Sequence, residues 1–224
     1  MRLKKIKIKL FVEIFSSLIS IALLFRIALY LLPTHGEKIA NYKNPNSALL
    51  VIDIQEDLTG KHAKSPYPYS NSEVFIDNVN SIIDIALEKK YKVIYIRQEF
   101  KNGLTDILLS KGILISGHAG TQFDSRLKLK SQNIFSKRQS DAFSNLELEK
   151  FLEKNQINNL YIVGLDANTC VYKTAKGGLN RNYKITVIEN GVITLDMNKM
   201  NSIIKKYKKN NISVINSIDF INSN

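Results

Sequence analysis

Ser47-Ala48-Leu49-Leu50-Val51-Ile52-Asp53 is a run of six uncharged, mostly aliphatic residues closed by a carboxylate. So short and continuous an apolar run, with turn residues on its upstream side, reads as a strand buried on both faces, the kind a parallel sheet requires. Similar runs recur at 92–97, 133–137, 159–164, 184–188 and 212–215. Helical patterns lie between them. Ser70-Asn71-Ser72-Glu73 has the form of a capping box ahead of Val74, Ile76, Val79, Ile82, Ile83 and Ala86, and Ser144-Asn145-Leu146-Glu147 repeats the form before a helix to Asn155. Two more helices are expected over 168–181 and 196–209. Strands alternating with helices predict an α/β domain: three α-β-α layers around a mainly parallel, six-stranded sheet. The stretch 101–132, with Gly103, Gly112, Gly117 and Gly120, reads as a long loop with short regular pieces.

Upstream of the first strand the chain changes character. Basic residues alternate with Leu and Ile over 1–9, and 23 residues from Leu10 to Leu32 follow, closed by Pro33. At about 1.5 Å per residue such a helix crosses a hydrocarbon core about 30 Å thick. Glu13 and Arg26 interrupt it near its ends, where a long charged side chain can reach the interface. A cleaved signal peptide would show small residues at its cut, and Leu31-Leu32-Pro33-Thr34 shows none. Ser16, Ser17, Ser20 and Arg26 make too thin a polar face for a purely interfacial helix. The expected layout is therefore a basic N-terminus and single-pass membrane or membrane-anchor helix (1–32, spanning through 10–32), a linker (33–46) and one α/β domain (47–224). Five basic residues precede the span and only Lys38 and Lys43 follow it closely, which favours a cytoplasmic N-terminus.

The net charge of +12 divides evenly. Residues 1–43 hold eight basic and two acidic groups, and the rest hold 24 against 18. The one dense basic cluster outside the N-terminus, Lys205 to Lys209, falls at a helix end, where it complements the dipole. No nucleic-acid partner is expected from this layout. One cysteine excludes an intrachain disulfide, and no Cys or His pair has zinc-site spacing, so no metal is expected. No Gly-x-Gly-x-x-Gly follows a strand, which removes a dinucleotide cofactor. The expected partner is a small molecule, with a homo-oligomer open.

Ligands of an open α/β sheet bind beyond the carboxyl ends of its strands. Asp53 closes the first strand, Lys137 the third, and Cys170 follows the Gly164 strand end in the first turn of the next helix. A thiol at a helix N-terminus is expected to have a lowered pKa, beside N–H groups able to hold an oxyanion. A carboxylate can take its proton and an ammonium can balance the charges. Gln55, Gln98, Glu99 and His118 are weaker candidates for substrate contact, from their strand-end or loop positions.

Asp53-Ile54-Gln55-Glu56-Asp57 after Leu49-Leu50-Val51-Ile52 resembles the first-strand motif of the isochorismatase-like cysteine hydrolases, a group that includes nicotinamidases and N-carbamoylsarcosine amidase. Gly120-Thr121 and Phe135-Ser136-Lys137-Arg138, with Ser140 and Phe143, are similar to the family's lysine block, and Val163 to Val171 to its nucleophile block. The likeness runs from about 47 to 217. It implies a catalytic triad of Asp53, Lys137 and Cys170, and a non-proline cis peptide at Leu165-Asp166. It also implies an oxyanion site from the N–H groups of Asp166 and Cys170. Three departures stand out. Where nicotinamidases carry a metal-binding Asp-x-His, this chain has Gln98-Glu99-Phe100. Asp166 replaces the usual small residue, and the apolar leader is atypical. The expected activity is hydrolysis of a small amide or related C–N bond through a thioester. The alternative is a catalytically silent, membrane-tethered binding module of the same fold.

Overall fold

The computed structural model describes residues 2–64 and 66–223, with side chains from residue 6 onward. The sheet has six strands: β1 (Asn46–Ile52), β2 (Lys92–Gln98), β3 (Ile134–Lys137), β4 (Ile157–Gly164), β5 (Lys184–Val192) and β6 (Ser213–Ile215). Their spatial order is β3-β2-β1-β4-β5-β6, and every neighbouring pair is parallel. The order reverses direction between β1 and β4, and the crevice at that switch is where an open parallel sheet receives ligands.

Helices cover both faces, as strands buried on both sides require. Leu49 and Val51 of β1 pack under α2 (Ser72–Glu88) with Val79, Ile82 and Ile83. Phe220 of α7 (Ser217–Asn222) joins that layer. Ala48, Leu50 and Ile52 face the other way, into a core with Leu148 and Leu152 of α4 (Leu146–Lys154), Ala175 of α5 (Tyr172–Leu179) and Tyr207 of α6 (Met200–Lys209). The expected three-layer architecture is therefore present. The long loop holds α3 (Leu104–Ser110).

Two helix starts lie one residue beyond the expected caps. Asn71, in the left-handed region at φ 61°, precedes α2 and makes no side-chain cap. Asn145 caps α4 by accepting from the Glu147 N–H. The helix expected over 168–181 opens instead as a π-turn, Ala167–Val171, before α5.

The N-terminal helix α1 runs Arg2–Leu31. Its Ile6–Leu31 portion contains an 18-residue stretch with a mean hydropathy of 2.1. Residues 6–22 are exposed, and coverage begins with Leu23, Arg26, Ile27 and Tyr30, one stripe at helical spacing. The stretch expected to be a linker has no helix or strand, as its Pro, Gly and Asn residues suggested, yet it lies strapped to the domain. Asp141 Oδ2 accepts from both the N–H and the hydroxyl of Thr34, at 2.7 Å each. Arg181 donates to the Thr34 hydroxyl (3.0 Å) and the His35 carbonyl (3.1 Å), and the Ile39 N–H donates to the Arg181 carbonyl (2.9 Å). A buried carboxylate and a buried guanidinium need such partners, and the strap supplies them.

Candidate active site

β1, β2 and β3 end side by side, so Asp53, Gln98 and Lys137 form a row across their carboxyl edge. Asp53 turns out of β1 at φ 57°, a left-handed conformation that Asp tolerates better than most residues. The Lys137 ammonium, 1% exposed, lies 2.8 Å from Asp53 Oδ2 and donates to Gln98 Oε1 at 2.7 Å and the Gln139 carbonyl at 3.2 Å. The ammonium also donates to Cys170, whose Sγ sits 3.4 Å from the same nitrogen.

Gly164 ends β4 with φ 121°, and a Cβ there would stand 2.1 Å from the Ile52 carbonyl oxygen. That close approach lets β4 run flush against β1 to its last residue. The Leu165-Asp166 peptide is cis. The Asp166 carboxylate then accepts from the N–H groups of Asn168 (2.8 Å) and Thr169 (3.1 Å), capping the π-turn that carries Cys170. The acidic residue at this atypical position thus orders the loop. Below the turn, the Tyr207 hydroxyl donates to the Ala167 carbonyl.

Burial dominates the electrostatics. It pushes the Cys170 thiol up to about 12, opposed by Lys137 and reinforced by Asp53. The lowered thiol pKa expected from a helix N-terminus is therefore corrected: the sulfur is buried, and withdrawal from water outweighs the pull of the Lys137 ammonium. Burial also raises the Asp53 carboxyl above its ordinary value, against the pull of Lys137 and the thiol beside it. For Lys137 burial works against the charge, yet Asp53 and Cys170 hold it above the ordinary lysine range. Asp53 Oδ1 is buried without a hydrogen-bond partner of good geometry among the described residues.

A cavity of about 470 Å³ opens over Asp53 and Cys170, within the usual size for small-molecule sites. Asp53, Gln98, Leu165, Asp166 and Cys170 form its floor, with walls from Leu58, Tyr67, Tyr69, Phe100, Leu114 and Tyr30 of α1. Of the weaker candidates only Gln98 reaches it. The Nε2 of Gln98 is buried with no partner among the described residues, a free donor at the cavity edge. Gln55 spends its amide on the Gln98 N–H and on the Gln98 and Thr121 carbonyls, so it brackets the loop. Glu99 accepts from the Ser136 hydroxyl and pairs with Arg97. His118 is exposed ahead of the turn at Ala119–Thr121. These three stand outside the cavity lining. The aromatic wall, Tyr30 above all, went unread because nothing local in an apolar helix marks one tyrosine for a distant pocket.

The isochorismatase domain profile matches residues 47–219. The chain belongs to the isochorismatase family. A curated relative, the secreted isochorismatase effector Isc1 of Verticillium dahliae, is 24% identical over 147 residues, covering 66% of this chain and 72% of the relative. An isochorismatase-like hydrolase from Alkaliphilus metalliredigens superposes with a TM-score of 0.70 at 20% identity, over 80% of this chain and 97% of that one. N-carbamoylsarcosine amidase from Thermoplasma acidophilum gives 0.63 at 22% identity, over 77% and 96%. The metal site of some family members does not fit here. Gln98 is committed to Lys137, Glu99 to Ser136 and Arg97, and Phe100 packs its ring on Tyr30.

Proposed function

We propose that this isochorismatase-family hydrolase cleaves a small amide or related non-peptide C–N bond through a thioester on Cys170. The observation that carries this reading is the convergence of a carboxyl, an ammonium and a thiol from three distant segments: the carboxyl and the thiol lie on one cavity floor, and the buried ammonium bridges them. The carbonyl carbon of the substrate sits over Sγ. Asp53, a stronger base than an ordinary carboxylate because it is buried, takes the thiol proton as sulfur attacks. Lys137 balances the charge that moves from oxygen to sulfur. The N–H groups of Asp166 and Cys170 receive the oxyanion, and Gln98 Nε2 donates to the substrate. The C–N bond breaks as Asp53 returns its proton to the leaving amine. Water, deprotonated by Asp53, then attacks the thioester, the acid leaves, and the sulfur regains a proton.

A silent binding module is less well supported, because a pocket that only binds has no need to bury an ion pair against a thiol. The test is hydrolysis of a panel of small amides by purified wild type and Cys170→Ala. The variant is expected to lose at least about 10³-fold in kcat/KM with its fold intact. Equal rates from both proteins would remove the mechanism.

The same reading includes membrane anchoring through residues 10–32. An exposed helix of the required length and hydropathy supports it. Retention of the segment is supported by its end being built into the domain: Arg26 pairs with Asp106, Tyr30 lines the cavity and Thr34 bonds Asp141.

A further inference from the structure

α3 is inside out. An amphipathic helix on a water-facing surface turns its apolar stripe inward. Here Asp106 and Ser110 are buried with Leu109 beside them, while Leu104, Ile107 and Leu108, also at i, i+3 and i+4, are 76%, 38% and 60% exposed. The inward carboxylate of Asp106 holds two guanidiniums, Arg26 of α1 and Arg138 at 2.7 Å, and accepts from the Lys101 N–H at 3.0 Å. Arg26 lies five residues before the end of α1 at Leu31, about 7 Å along the axis. α3 is thus clamped beside α1 just below the helix end, where Leu109 shares a pocket with Leu29 and Tyr30, and the rest of α1 is itself apolar and exposed. Exposed Lys101 and Lys111 stand at its two ends, where lipid phosphates would meet them. The same helix walls the cavity: Leu109 and Ser110 line it together with Tyr30.

We propose that the outer face of α3 lies in the lipid–water interface of the bilayer crossed by α1, and that the cavity takes amphiphilic amides with an aliphatic chain from that bilayer. The substrate class rests on the amide hydrolase reading above; the lipid contact rests on the membrane anchor alone. A reversed helix, inverted in water, is correctly oriented with its leucines in acyl chains and its charges against protein.

The test uses the full chain in phosphatidylcholine vesicles containing a minority of phosphatidylglycerol. In the Cys170→Ala background, single cysteines introduced by Leu104→Cys, Leu108→Cys, Ile19→Cys and Lys150→Cys carry an environment-sensitive fluorophore, and doxyl-labelled lipid is the quencher. Strong quenching at 104 and 108, as at 19, with none at 150, is the expected result. Quenching at 19 alone overturns the α3 contact, and no quenching at 19 overturns the anchor with it. In a separate arm, wild type in the same vesicles hydrolyses decanoyl p-nitroanilide at least about tenfold better in kcat/KM than the acetyl compound. Leu104→Asp/Leu108→Asp removes that preference. Equal rates for the two chain lengths refute the substrate class. No turnover of either refutes the hydrolase reading, and the quenching result stands independently.

Discussion

At Cys170 the sulfur is enclosed by protein and by a carboxyl, and its proton is held up to about pH 12. The proposed mechanism therefore starts from a neutral thiol, with Asp53 drawing the proton away as sulfur attacks. Alkylation of the free enzyme by iodoacetamide should keep accelerating from pH 7 to 10. A plateau near the ordinary thiol value of about 8.5 would show instead a preformed thiolate. Burial raises Asp53 in the same direction. Its base form is the working form and its pKa is raised. Activity should thus be present at neutral pH and fall as pH drops through a value above the usual carboxylate range. An acid limb of kcat/KM at or below about 3.9 would contradict the burial argument. Asp53→Asn, which keeps the shape and removes the base, should lower kcat about 10²–10⁴-fold. Asp53 and Cys170 were legible in the sequence because each follows an apolar strand. Lys137 was one lysine among 32 basic residues, and only its place at a strand end and the family likeness singled it out.

The π-turn that carries Cys170 is held from above by the Asp166 carboxylate and from below by Tyr207, which is fully buried and donates to the Ala167 carbonyl. Tyr207→Phe keeps the ring and leaves that carbonyl unpaired, so denaturation in urea should show a loss of about 1–2 kcal/mol. The same variant should lower kcat more than it raises KM, because the turn aims the sulfur; an unchanged kcat would mean that Tyr207 serves packing alone. Strand positions were readable from continuous apolar runs. Caps were off by one residue, since Asn145 competed with its neighbour Ser144 for the same role. The π-turn was not readable, because its form depends on the Asp166 cap and on contacts from α6.

Over the whole molecule, the segment that follows the N-terminal helix is bonded into the domain. Arg181 is 3% exposed and bonds Thr34, His35, Gly177 and Glu149. Arg181→Met should destabilise the detergent-solubilised protein by about 2 kcal/mol or more, because the variant leaves the strap's acceptors unpaired. A loss below about 0.5 kcal/mol would show the strap to be energetically idle. Carbonate at high pH should leave the full chain in the membrane fraction; release into the supernatant would contradict the anchor. The apolar run was plain in the sequence, but the strap was not. Its hydrogen bonds join residues more than a hundred positions apart, and no local pattern announces them. The inverted α3 was likewise hidden inside a glycine-punctuated loop. The proposed reaction requires a covalent bond between Cys170 and the acyl part of a substrate. Intact-mass analysis after rapid acid quench, with peptide mapping, tests it most directly. The expected spectrum shows wild type gaining the mass of one acyl group on the peptide containing Cys170, released by hydroxylamine and absent in Cys170→Ala. Turnover of the same amide by wild type and Cys170→Ala alike, with no adduct on either, would contradict it.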